Sequence, residues 1–92
     1  MQRPDEAIEN YKKALQIDSL TYGENHESTA YILNNIGGVY SESDHPELAI
    51  PEHERALRIY EAAYPNHMNL DLAQTHSDLA DAYLREGDAD KV

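Results

Sequence analysis

Apolar residues return every three or four positions along this chain, and polar turn clusters divide them into four helical stretches. The first, from about Asp5 to Thr21, carries Ala7, Ile8, Tyr11, Ala14, Leu15 and Leu20 as a stripe, with Lys12 and Lys13 outside it. Pro4 suits a first helical turn, where a missing N–H costs little, and Tyr22-Gly23-Glu24-Asn25-His26 is the break. The second stretch, Ser28 to Ser43, presents Ala30, Leu33, Ile36, Gly37, Val39 and Tyr40. Gly37 and Gly38 in mid-helix cost up to ~1 kcal/mol each relative to Ala, and close approach of a neighbouring helix is the expected return.

The third stretch opens behind Pro46, where Asp44 and Glu47 are spaced as a capping box, and ends near Ala63 before Tyr64-Pro65-Asn66. Its stripe is Leu48, Ala49, Ala56, Leu57, Ile59 and Tyr60. Pro51 falls several residues inside and removes one backbone hydrogen bond. It predicts either a bend near Glu47–Pro51 or a helix that begins only around Ile50. The fourth stretch, Asn69 to Arg85, is expected to bury Leu72, Ala73, His76, Leu79, Ala80 and Tyr83, with Gly87 as its stop.

These stretches are copies. Pro4, Ala7, Ile8, Ala14, Leu15 and Ile17 recur 42 positions later as Pro46, Ala49, Ile50, Ala56, Leu57 and Ile59. Ala30, Ile36, Gly37 and Tyr40 recur 43 positions later as Ala73, Leu79, Ala80 and Tyr83. One inserted residue between Ala62 and Leu72 accounts for the difference. A period of this length means a supersecondary unit stacked on its own copies, each burying its neighbour's apolar face. Residues 88–92 read as the opening of a further helix. The chain therefore reads as an all-α solenoid of antiparallel helix pairs, begun and ended in mid-repeat.

Composition narrows the function classes. Eighteen Asp and Glu against seven Lys and Arg give a net charge of −11 over 92 residues. Such a field repels phosphate backbones and anionic lipid, which argues against nucleic acid and membrane as partners. No apolar run approaches the ~20 residues of a membrane span, and the N-terminal residues lack the apolar core of a signal peptide. The chain has no Cys, hence no disulfide or thiolate metal site, and a cytoplasmic location is expected.

Leu33-x-x-Ile36-Gly37-x-x-Tyr40 followed by Ala49-x-x-x-His53-x-x-Ala56 resembles tetratricopeptide (TPR) repeats. His76-x-x-Leu79-Ala80-x-x-Tyr83 and Ala7-x-x-x-Tyr11-x-x-Ala14 carry the same resemblance into the flanking copies. The plain repeat has ~34 residues. The 42-residue period, with Leu33 to Gly37 after the Gly23-x-x-His26 loop, looks more like the kinesin-light-chain type. The resemblance implies a second helix of one unit at 4–22, a complete unit at 27–64, the first helix of the next at 69–86, and the start of another at 88–92. His53 in place of an aromatic, Pro51, and Asp44 at the turn position held by Gly87 in the next copy depart from the pattern.

In that family the first helix of each pair lines a concave groove for peptide segments. Carried over by position, one unit would present Tyr31, Asn34, Asn35, Gly38 and Glu42 to the groove. The next would present Gln74, Ser77, Asp78, Asp81 and Arg85. Asn35 matches a position whose amide binds ligand backbone; alternatively, Asn34 and Asn35 form a plain polar helix face. Gln74 and Asp78 stand where capture of acidic tails would need Lys or Arg, so a basic or neutral peptide is the expected partner.

Catalytic and metal chemistry find little support. No two of His26, His45, His53, His67 and His76 lie three to five apart, and His53-Glu54 lacks the second His of a zincin helix. His26 and His67, each after an Asn, suggest a repeated capping or packing role. Asp88-x-Asp90 lacks the remaining ligands of a calcium loop. No cofactor is expected. The readings left are a non-catalytic protein-interaction scaffold and, as an alternative, a fragment that self-associates into a homo-oligomer through its end helices.

Overall fold

A computed structural model describes residues 3–65 and 69–87 as four α-helices, α1 (Pro4–Tyr22), α2 (Glu27–Glu42), α3 (Pro46–Ala63) and α4 (Leu70–Arg85). No strand occurs among the described residues. Helix starts fall 42 residues apart for α1 and α3 and 43 apart for α2 and α4, so the period read in the sequence is the period of the fold. The helices stack in chain order, with α2 against both α1 and α3, α3 against α4, and α2 also touching α4. Residues 88–92 and His67 lie outside the described residues.

The core joins the three later helices. Ala30 and Leu33 of α2, Ala56, Ile59 and Tyr60 of α3, and Leu72 of α4 form one buried cluster, and Leu15 of α1 packs against its edge. The small residues set the spacing. Ala30, Ala49, Ala56 and Ala82 are completely buried, where a longer side chain would force the helices apart. Helix α1 is different in kind, because none of its residues is buried; Ala14 and Leu20 of its expected stripe are exposed. A polar staple holds its end instead. The Asp18 carboxylate accepts hydrogen bonds from Ser28 Oγ at 2.7 Å and Thr29 Oγ1 at 2.8 Å, both at the start of α2.

Helix ends follow a chemistry that the motif reading found only in part. His26 caps α2, its Nδ1 accepting from the Ser28 N–H at 3.1 Å. In the next copy the cap is Asn69, whose Oδ1 accepts from the N–H groups of Asp71 and Leu72. The expected capping box at Asp44 and Glu47 does not form. His45 precedes α3 with no side-chain cap, and Asp44 is in the left-handed region at φ 66°. There it closes α2: the His45 N–H donates to Tyr40 O at 2.8 Å and the Asp44 N–H to Ser41 O at 3.4 Å, the two bonds of a Schellman motif. Gly87 takes the same place after α4 at φ 78°.

Pro51 neither delays nor ends α3, which starts at Pro46 and runs through it. Both Pro51 and Glu47 are exposed, so the carbonyl left without its partner lies on the solvent side, where the loss is small. In α4 the buried positions are Leu72, Thr75 and Ala82; Ala73, His76, Ala80 and Tyr83, expected inside, are exposed. The reason is positional. Those residues copy the line by which α2 receives α3, and α4 turns a different line toward α3 and α2.

Candidate functional site: a groove between the second and fourth helices

Helical geometry puts Tyr31, Asn34, Asn35, Gly38 and Glu42 on one side of α2, because residues three and four apart share a face. Gln74 and Asp78 stand opposite on α4, and the two sets line a common groove of about 400 Å³. Seven of the ten residues expected there are thus brought together. Asp81 and Arg85 line a smaller adjoining hollow, and Ser77 is exposed and lines neither. Arg85 is a strap, its Nε donating to Asp81 at 2.7 Å and its Nη1 to Ser41 O at 3.2 Å across to α2.

The two asparagines divide their labour. Asn34 faces inward and belongs to a buried polar chain. His53 Nδ1 donates to Asn34 Oδ1 at 2.9 Å, Asn34 Nδ2 donates to Thr75 Oγ1 at 2.6 Å, and the Thr75 hydroxyl donates to Asp71 O at 2.8 Å. Each of the three side chains has at least one partner in the chain, which is what makes such polar groups tolerable inside a helical core. Burial holds His53 below its ordinary pKa of 6.5, while the Asp78 carboxylate works the other way. Asn35 has no hydrogen-bond partner among the described residues and leaves its whole amide to the groove.

The adjacent glycines also part ways. A Cβ at Gly37 would lie 2.6 Å from His53 Nε2, so the expected close approach is real at this position. Gly38 meets nothing within 4 Å and opens onto the groove instead.

Four contributors escaped the sequence reading. Tyr11 of α1, Val39 of α2, Tyr60 of α3 and Asp71 at the start of α4 all reach the groove. Tyr60 is only 2% exposed, and a tyrosine on an apolar stripe reads as core. The usable signal was its hydroxyl, which needs a polar outlet when the ring is buried. Burial first, then Asp71, Tyr64, Glu27 and Tyr31 nearby, push the Tyr60 pKa up to about 12, so it stays a neutral donor. Tyr64 beside it donates to Glu27 Oε1 at 2.8 Å, a bond that raises its own pKa.

A family model described as tetratricopeptide repeat matches residues 1–62. With the stacked hairpins above, the chain belongs to the tetratricopeptide (TPR) repeat family, and that membership points to a protein–protein interaction module. No match was found among curated proteins. Among the described residues no helix is long and apolar enough to cross a membrane.

Proposed function

We propose that this chain is a non-catalytic scaffold module that holds an extended peptide segment in the groove between α2 and α4. The carrying observation is the amide of Asn35, free among the described residues, beside the open backbone at Gly38. An amide both donates and accepts, which suits a strand-like peptide backbone, and a glycine lets that backbone come close. Glu42, Asp71 and Asp78 around it favour a basic or neutral segment over an acidic one. The 42-residue period supports assignment to the kinesin-light-chain type of the repeat, and the cysteine-free composition supports a cytoplasmic location. An array of acetylated extended peptides, probed with the whole chain and with Asn35→Ala, tests the groove. Binding weakened at least tenfold by Asn35→Ala is expected; failure of every peptide, basic ones included, ends this reading.

A second reading rests on the end helices. Ile17 is 65% and Leu20 85% exposed on α1, and Ala73, His76 and Ala80 are exposed on α4. The α4 line copies the α2 face that receives α3, while α1 copies α3. Docking α1 of one molecule on α4 of another would repeat an interface already used inside the chain, head to tail. Sedimentation at rising concentration checks this, with Leu20→Glu expected to remove any association.

A further inference from the structure

Resting on the peptide-groove reading, we infer that the groove contains a dedicated seat for an arginine side chain of the bound segment, built by Tyr11, Tyr31, Tyr60, Glu42, Asp71 and Asp78. Three carboxylates line this cavity, and none of its lining residues is Lys, Arg or His. Acidic residues on a helix surface would mean little alone. The second observation is Tyr60, 98% buried by its 2% exposure, whose hydroxyl reaches the groove and has no hydrogen-bond partner among the described residues. The ring is buried while the hydroxyl opens onto the groove, where it keeps both its donor and its acceptor capacity for a guest.

The chemistry around that hydroxyl selects its occupant. Asp71 makes no side-chain hydrogen bond among the described residues, nor does Glu42, so two carboxylates await donors. Among the described residues Asp78 accepts from Gln74 Nε2 alone, at 2.9 Å, and retains lone pairs. A guanidinium supplies five N–H donors in one plane, enough for a carboxylate fork and the Tyr60 oxygen together. Its faces stack on phenol rings, and Tyr11 and Tyr31 stand at the same cavity. An anionic side chain would meet only like charge.

Three eight-residue peptides, blocked at both ends, of Ser, Gly and Ala with a single central Arg, Gln or Glu, distinguish the possibilities by NMR titration of the isotope-labelled chain. The Arg peptide is expected to bind at least tenfold more tightly than the Gln peptide and to shift the amides of Asn35 and Asp71. Tyr60→Phe alters no charge and is expected to weaken the Arg peptide at least fivefold while leaving the Gln peptide unchanged; Asp71→Asn acts in the same direction. Thermal melts of both variants verify folding. Equal affinity for the Arg and Gln peptides overturns the seat and leaves the groove standing, whereas no binding by any peptide overturns both. Arg binding indifferent to Tyr60→Phe and Asp71→Asn also overturns the seat, since it reports only the attraction of a chain of charge −11 for a cation.

Discussion

The imidazole of His53 fills the space that a side chain at Gly37 would occupy, with a Cβ there only 2.6 Å from Nε2. His53 is 1% exposed and tied to Asn34, so it has little freedom to retreat. Gly37→Ala should therefore destabilise by about 1–2 kcal/mol, overpacking outweighing the ~1 kcal/mol gain in helix propensity. Gly38→Ala, with open space around it, should stabilise by up to about 1 kcal/mol. Urea unfolding of both variants checks the pair. In a His53→Ala background the Gly37→Ala penalty should vanish; its persistence there would refute the contact.

Acid should weaken the fold through His53. Because burial lowers its folded pKa below the unfolded value of 6.5, the unfolded chain binds that proton more readily. Its contribution is intact above 6.5 and is lost progressively as pH falls through 6.5 toward the folded pKa. Glu52 has the opposite sign. Burial raises its carboxyl above 4.5, against Lys12 and Arg55, so acidification from that raised pKa down to 4.5 adds stability. Urea midpoints between pH 7 and 4.5 should decline less in His53→Gln than in the parent, and more steeply in Glu52→Gln at the acid end of that range. Parallel declines in all three would exclude His53 as the source.

Asp44 holds a left-handed conformation that Gly87 holds in the next copy. An L-residue with a Cβ loses roughly 1–2 kcal/mol there relative to glycine, somewhat less for Asp. Asp44→Gly should raise stability by about 0.5–1 kcal/mol, and Gly87→Ala should lower it by about 1 kcal/mol. Thermal melts give both; a lower melting temperature for Asp44→Gly would mean that its side chain does something else.

Removing the Asp18 carboxylate should release α1. Asp18→Ala removes the charged acceptor shared by Ser28 and Thr29, leaving Thr29 Oγ1 its longer 3.2 Å bond to Gly23 O and Ser28 Oγ its contact with His26 Nδ1, and should cost about 1–3 kcal/mol. The loss should be local. Native-state hydrogen exchange should quicken over 4–22 while α3 and α4 keep their protection; uniform loss would contradict a staple confined to α1 and α2.

Much of this was legible because a repeat imposes regularity. The matched prolines Pro4 and Pro46 mark the starts of α1 and α3, and the spacing of Tyr31, Asn35 and Gly38 puts them on one helix face whatever their neighbours. What escaped depends on neighbours rather than on period. Residues Asn34 and Thr75 meet across 41 positions, and no local pattern announces that a His, an Asn and a Thr will form one chain. Copying α2 onto α4 misplaced Ala73, His76, Ala80 and Tyr83 for the same reason: equal sequence does not give equal surroundings. The His26 cap passes to Asn69 rather than to another histidine, since any short side chain with an acceptor can do that work.

Tyr11 is a wall of the groove, yet the helix that carries it has no side chain sunk in the core. Occupancy and the seating of that first helix are therefore thermodynamically linked. Any guest touching Tyr11 binds the closed arrangement better than the open one, and so must tighten the very element that helps to enclose it.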